Sequence, residues 1–269
     1  MTSLFYLLPL IPLVPFLMAA VNGLLLGRRA EASGKRGVIQ ALAIGAVAFS
    51  FLLSLSAVVA LKTTDLAAFE KSLPEHSSLH VYPEQQRVVY APSSWMGSLT
   101  SGGVNPDGDS SWGFMLDPLS AVMLLFVTFI GTLIHIFSVR YMEDDAGHYK
   151  FFSYLNLFMG SMLILILGSS LGGLCVGWEG VGVCSYLLIG FYTDRIFDEK
   201  TGMTCSDAGR KAFITNRIGD LMFASGVLIL LANAGTFCFA ALEAWVHHGH
   251  AAALPHGLRV AAVLLMFGG

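Results

Sequence analysis

Charge is what this sequence has least of. Charged residues make up 12% of its 269 residues, against roughly 25% in an ordinary soluble domain. With 55% of residues apolar, that scarcity excludes a soluble globular domain and a disordered chain. A basic surplus is missing too. The net charge is -3, and nucleic-acid binding requires a basic patch. The four cysteines, Cys175, Cys184, Cys205 and Cys238, form no Cys-x-x-Cys pair, so zinc and iron–sulfur readings lack their ligand spacing. Cys175 and Cys184 lie in an apolar run and read as ordinary buried thiols. No positive segment precedes the first apolar run, because the first basic residue is Arg28. A cleaved signal peptide is therefore a poor reading. There is no Gly-rich phosphate loop, nucleophile elbow or His-Glu-x-x-His motif.

What the sequence does have is long apolar runs. A helix needs about 20 apolar residues to cross roughly 30 Å of hydrocarbon. The runs are Leu4 to Leu26, Val38 to Leu61, Pro118 to Val139, Phe151 to Leu167, Leu174 to Tyr192 and Lys211 to Ala232, with a seventh beginning near Leu258. The expected fold class is an all-α polytopic membrane protein with about six complete transmembrane helices and the start of a seventh. Pro9, Pro12 and Pro15 predict an irregular or kinked first helix. Asp117-Pro118 predicts a capped helix start. The long polar stretch Lys62 to Gly113 reads as an external loop, with a short β-hairpin in Gln86 to Trp95. The expected divisions are 1–62 (two helices), 63–116 (external loop), 117–149 (third helix and turn) and 150–269 (the remaining helices). The apolar segment Val260 to Phe267 stops short of a full crossing. Unless it is re-entrant, the expectation is a fragment, or a chain whose remainder is encoded elsewhere.

Basic residues near span ends set the orientation. The loops after spans one, three and five hold ten (Arg28, Arg29, Lys35, Arg36, Arg140, Lys150, Arg195, Lys200, Arg210, Lys211), and the other side holds four (Lys62, Lys71, Arg87, Arg259). The basic loops are therefore expected in the cytoplasm, and the N-terminus and long loop outside.

The informative residues are ionisable groups inside apolar runs, where a charge at the bilayer centre costs about 2.5–3.5 kcal/mol on insertion scales. Glu179 is the only charged residue between Lys150 and Asp194, in Gly177-Trp178-Glu179-Gly180-Val181-Gly182. The glycines let a neighbouring helix or a water file approach closely. A carboxyl held between burial and a nearby cation can take up and release a proton; the alternative is a structural hydrogen bond to another helix. Arg217 and Asp220 are three apart and share a helix face. They read either as a local ion pair or as Asp220 answering a charge on another chain. Lys211 opens the sixth run and reads as snorkelling to the cytoplasmic surface. His135, with Thr132 and Ser138, makes a polar stripe on the third helix, and its imidazole suits either a proton relay or a satisfied hydrogen bond. His247, His248, His250 and His256 lie in an external loop without supporting Asp or Cys, a poor metal site. No metal or cofactor site is expected in this chain.

These residues carry a family resemblance over nearly the whole chain. Phe114-Met115-Leu116-Asp117-Pro118-Leu119-Ser120, Leu133-Ile134-His135-Ile136-Phe137-Ser138 and Phe151-Phe152-Ser153-Tyr154-Leu155-Asn156 resemble the third and fourth spans of the largest antiporter-like subunit of respiratory complex I, the subunit L or subunit 5 family. Gly177 to Tyr192 is close to a family signature, and Lys211-Ala212-Phe213-Ile214-Thr215-Asn216-Arg217-Ile218-Gly219-Asp220 resembles the start of the sixth span.

The resemblance implies about fourteen core helices built around two inverted five-helix repeats, plus a lateral helix. It makes Glu179 the key acidic residue, paired with a lysine on a broken seventh span a few residues past Gly269. It implies that Arg217 and Asp220 couple with neighbouring charges. It assigns the chain to proton translocation coupled to quinone reduction within a proton-translocating NADH:quinone oxidoreductase, with no redox catalysis by the chain itself. NADH, FMN, iron–sulfur clusters and quinone would bind elsewhere in the complex. The implied partners are other membrane-arm subunits, especially a neighbouring antiporter-like subunit, and the lipid bilayer, with no nucleic acid. A bacterial inner membrane is the expected location, ahead of the mitochondrial one. Rival readings are an Mrp-type cation/proton antiporter subunit and a truncated chain without transport.

Overall fold

The computed structural model describes residues 2–27, 36–74, 77–91, 113–198, 202–247 and 256–268. Six helical segments are long and apolar enough to cross a membrane: Ser3–Leu26, Arg36–Thr63, Pro118–Tyr141, His148–Leu167, Leu171–Ile189 and Cys205–Ala234. With the family evidence given below, they make the chain a multi-pass membrane protein. Their helices are α1 (Leu10–Ala20), α2 (Arg36–Thr63), α4 (Pro118–Tyr141), α5 (His148–Leu167), α6 (Leu171–Ile189) and α7 (Cys205–Ala234). The shorter helices are α3 (Leu66–Ser72), α8 (Phe239–His247) and α9 (His256–Gly268). Large apolar side chains such as Leu24, Leu119, Phe137 and Leu221 stay exposed on the flanks, as lipid-facing residues should.

The first span is irregular, as its prolines predict. It opens as a 3₁₀ turn, Thr2–Leu7, runs as α1 with Pro15 inside, and finishes as a π-helical turn, Val21–Leu26. Pro15 has no N–H for the Ile11 carbonyl. Ser50 of α2 donates its hydroxyl there instead, at 2.8 Å. Two residues before the π segment starts, Ser153 of α5 donates to the Ala19 carbonyl at 2.6 Å.

Helix starts are set by local capping. Asp117 accepts from Ser120 N at 2.7 Å while Ser120 Oγ accepts from Asp117 N at 2.8 Å, a reciprocal box with Pro118 at the first position. Several starts differ from the sequence expectation, among them α5 at His148, ahead of Phe151 and without a side-chain cap. Ser170 accepts from Gly173 N at 3.2 Å and starts α6 at Leu171, ahead of Leu174. Thr204 and Asp207 form a second box, so α7 begins at Cys205 and Lys211 sits in its second turn instead of at its start. At its other end α7 stops on Gly235, whose φ of 73° favours glycine.

The hairpin is present but shifted. β2 (Arg87–Tyr90) carries the expected β residues, yet its partner is the preceding β1 (Leu79–Tyr82), with Leu79 opposite Tyr90. Gln86, at φ 49°, closes the turn after a 3₁₀ segment, Pro83–Gln85. A third strand, β3 (Phe114–Leu116), pairs with β2, while 92–95 of the expected hairpin lie outside the described residues. A second, two-stranded ribbon, β4 (Ile196–Asp198) and β5 (Met203–Thr204), precedes α7. The three-stranded sheet covers one end of the first bundle: Leu79, Val81, Val88 and Leu116 join Phe5, Leu8, Ala57, Leu124 and Leu163 in one buried core.

Helix ends sort onto two faces. On one, Ser169 N donates to the Gly113 carbonyl at 3.1 Å and Arg87 pairs with Glu243 of α8 at 2.9 Å. On the other, Arg36 Nη1 donates to the Glu143 carbonyl at 2.9 Å and Gln40 contacts His148 at 2.8 Å. The second face carries Arg36, Arg140, Lys150, Arg195 and Arg210, the side expected in the cytoplasm.

Two of the glycines around Glu179 seat α6 on α5. A Cβ on Gly177 would lie 2.5 Å from Leu165 N, and one on Gly180 2.5 Å from Ser161 Oγ, whereas Gly182 meets nothing within 4 Å. Because the obstacle at Gly177 is backbone, Gly177→Ala should separate the helices and cost about 1–3 kcal/mol. Melting of the detergent-solubilised protein should fall for Gly177→Ala and hold for Gly182→Ala; equal melting of the two variants would refute this packing.

Candidate functional site

Glu179 sits near the middle of the 19-residue α6, about 12 Å from its start at 1.5 Å per residue. That is midway along a helix long and apolar enough to cross a membrane. The side chain points to α7 and forms an ion pair with Arg217. Arg217 Nη1 also lies 3.7 Å from Asp220 Oδ2. Trp178, the residue before Glu179, donates its indole N–H to Asp220 Oδ1 at 2.7 Å. The indole stacks on Phe223 with ring centres 5.9 Å apart and planes 11° apart, and the Arg217 guanidinium lies 4.5 Å from the Phe213 ring centre. Two adjacent residues of α6 thus hold two charged residues of α7.

The cluster carries two carboxylates and one guanidinium, a formal charge of one negative. Asp220 is the most enclosed, at 12% side-chain exposure, against 37% for Arg217 and 40% for Glu179. Asp220 and Trp178 also line a cavity of about 430 Å³ with Gly182, Ser185, Thr215 and Asn216. Ser185 and Thr215 donate to the carbonyls of Val181 and Lys211, both at 2.9 Å. Their oxygen lone pairs are left to accept, which suits water in that cavity. The far end of α9 closes the region: Gly268 packs on Gly219, beside Asp220.

The sequence singled out Glu179, Arg217 and Asp220, and the structure brings all three together. The local pairing of Arg217 with Asp220 is present, and Arg217 also reaches Glu179 on α6. Trp178 was missed. Its signal was present, because a buried indole N–H needs an acceptor. Lys211 is exposed at the basic end of α7, on a different level from the cluster. On that same face, partial burial and the neighbouring Asp145 push the Tyr192 phenol above its ordinary range.

His135 is placed elsewhere. It is fully buried on α4, its Nδ1 is 2.8 Å from the Gly131 carbonyl, and its ring centre is 6.4 Å from that of Phe152 on α5. Its expected stripe mates are bonded within their own helix: Thr132 donates to Thr128 O at 2.8 Å and Ser138 to Ile134 O at 2.7 Å. The external histidines of 247–256 fall at and beyond the edges of the described residues. Among the described residues no group of three or more His, Cys, Asp or Glu is placed to hold a metal ion.

Known proteins resemble this chain in sequence and fold. Residues 105–152 match the family model described as the N-terminus of chain 5 of NADH-ubiquinone oxidoreductase (complex I). Residues 168–269, which contain the Glu179 cluster, match the transmembrane family of NADH:quinone oxidoreductase and Mrp antiporters. The chain belongs to this antiporter-like family of membrane proteins. Within it, similar curated proteins include several named subunit L, subunit 5 or chain 5. Subunit L of Pseudomonas aeruginosa NADH-quinone oxidoreductase is 40% identical over 185 residues, 68% of this chain and 28% of that protein. The chloroplastic subunit 5 of Nephroselmis olivacea NAD(P)H-quinone oxidoreductase is 35% identical over 87% of this chain and 31% of its own length. The chain therefore matches under a third of those relatives. In fold it is similar to a chain of the Mrp complex from Dietzia sp. DQ12-45-1b, with a TM-score of 0.64 and 22% identity over 97% of this chain and 23% of that one. An archaeal membrane-bound sulfane sulfur reductase gives a TM-score of 0.66 at 17% identity, over 98% of this chain and 43% of that one.

If Arg217 serves Glu179 and Asp220 jointly, substitutions in the cluster are not additive. A double-mutant cycle of Glu179→Gln and Arg217→Gln, read by thermal unfolding, should show a coupling of about 0.5–3 kcal/mol. Simple additivity would mean the pair makes no energetic contact.

Proposed function

We propose that the chain acts in proton translocation as part of a membrane-arm subunit of NADH:quinone oxidoreductase, with Glu179, Arg217 and Asp220 as its charge switch. The observation that carries this reading is two carboxylates sharing one guanidinium midway along helices long and apolar enough to cross a membrane, beside a cavity large enough for water. One negative charge is unbalanced there. It is met either by a proton on one carboxyl or by a cation arriving from a neighbouring element. Moving that cation toward or away from the cluster exchanges one solution for the other, so a charge displacement becomes a proton transfer. The family resemblance expects a lysine a few residues past Gly269, and α9 brings Gly268 to the level of Asp220. A lysine there would be the second cation.

In this reading the chain does no redox chemistry. NADH, FMN, iron–sulfur clusters and quinone belong to other subunits, and the conformational or electrostatic signal reaches Glu179 from the neighbouring antiporter-like subunit. Lys211, exposed on the basic face, supplies a cytoplasmic entry point for protons. The bacterial subunit L relatives favour a plasma membrane location. A second reading, an Mrp-type cation/proton antiporter subunit, is favoured by the family model that both groups share. Proton flux that depends on sodium would select it.

Glu179→Gln keeps the size and hydrogen-bonding capacity of the side chain and removes its charge. In the complex reconstituted into vesicles, the rate of proton pumping should fall about tenfold, equivalent to roughly 1.4 kcal/mol in the barrier, while assembly is retained. Full pumping by an assembled Glu179→Gln complex would sink the proposed switch.

A further inference from the structure

The bundle of α1, α2, α4 and α5 holds polar side chains that the Glu179 cluster does not use. Asn22, His135 and Asn156 are each 0% exposed. A carbonyl only accepts, so His135 Nδ1 donates to Gly131, and in the neutral ring Nε2 is an acceptor. That Nε2 has no protein partner. Asn156 Nδ2 donates to the Phe152 carbonyl at 3.0 Å. This fixes the amide's orientation and leaves Oδ1 a buried acceptor, also without a protein partner.

The two acceptors lie at one height on facing helices. Gly131 of α4 abuts Met159 of α5, whose Sδ would be 2.7 Å from an added Cβ, and the His135 ring faces Phe152. Asn156 lies between Phe152 and Met159, four residues from one and three from the other, on the same helix face. The helices run antiparallel. Moving four residues, about 6 Å, along each from the Gly131–Met159 contact reaches His135 on one and residue 155 on the other.

Two acceptors cannot bond each other. Left bare, each costs about 1–3 kcal/mol. The group that satisfies both must donate two hydrogens, which a water molecule does. Asn22 offers a buried donor and acceptor from the segment that packs on the helix of Asn156. Both atoms of its amide lack protein partners, and it sits in the π-helical turn. That turn packs on α5 one turn from Asn156, where a Cβ on Gly23 would meet Ser153 Oγ at 2.6 Å. π-turns are frequent at functional sites.

We propose that His135, Asn156 and Asn22 form an internal water-binding site in the first helix bundle. At least one ordered water donates to His135 Nε2 and Asn156 Oδ1, and the Asn22 amide completes its shell. With Nδ1 tied to Gly131, Nε2 is the ring's one open point of proton exchange, and the water occupies it. The site stands independently of the Glu179 switch.

The test is cryo-electron microscopy of the protein in lipid nanodiscs, with the subunits it copurifies with, at a resolution that shows ordered water. The expected result is density at about 2.7–3.2 Å from both His135 Nε2 and Asn156 Oδ1, with unchanged height when rubidium replaces sodium. The density should disappear in Asn156→Leu. A dry contact, or an Asn156 amide turned to donate directly to Nε2, overturns the proposal. Density that strengthens with rubidium identifies a cation and overturns it too. If Asn156→Leu does not assemble, the wild-type maps decide, and Asn156→Ser should keep the water because it keeps a hydroxyl.

Discussion

One guanidinium between two carboxylates is the constraint on which the second half of this molecule depends. A charge in hydrocarbon costs about 2.5–3.5 kcal/mol on insertion scales, and Glu179 is far from either end of α6. Arg217 answers it, but Arg217 is also within 3.7 Å of Asp220, so the answer is shared. Trp178 steadies Asp220 with a neutral hydrogen bond at 2.7 Å, which orients the carboxylate without cancelling its charge. The packing follows from this demand. Gly177 and Gly180 let α6 lie directly on the α5 backbone, and α6 can then present Trp178 and Glu179 together toward α7.

The sequence made the charged residues visible and hid their pairing. Glu179 stands out because nothing charged lies near it in the chain, and a lone carboxyl in an apolar run is costly wherever it ends up. The partner could not be read, since Arg217 comes after an intervening loop and either of its faces was available. Capping was legible at Asp117, where the aspartate, proline and serine are contiguous. It was less legible at α7: Thr204 and Asp207 precede the apolar run, so an apolar count starts the helix at Lys211. The hairpin failed in a similar way. Arg87 to Tyr90 has obvious β character, but its partner Leu79–Tyr82 contains a histidine and follows a polar stretch. What identifies the turn is Gln86 in the left-handed region, and that is a property of the folded backbone. The substitution of Ser50 for the hydrogen bond that Pro15 cannot make is a contact between helices, outside the reach of any local rule.

Polar side chains in the spans divide by how many polar atoms they must satisfy. Ser54, Thr128, Thr132, Ser138, Ser185, Thr215 and Ser225 each donate a hydroxyl to the carbonyl one turn back, at 2.6–2.9 Å. A hydroxyl has one hydrogen, and its own helix takes it. Such residues cost little in a membrane and need no neighbour. His135 and Asn156 use the same device for one atom, Nδ1 to Gly131 and Nδ2 to Phe152, but each then has a second polar atom that its own helix cannot reach.

That remainder separates structural polar residues from those able to do chemistry. Glu179, Arg217 and Asp220 are extreme cases, because every oxygen and N–H beyond the first must be met by another helix, by water or by a proton. In the first bundle the remainder is neutral and small, so one bridging water balances it. In the second it is a whole charge, and no arrangement of neutral groups removes it. An uncancelled charge held between two packed helices responds to any cation that approaches, and this sensitivity is what a proton-moving site requires.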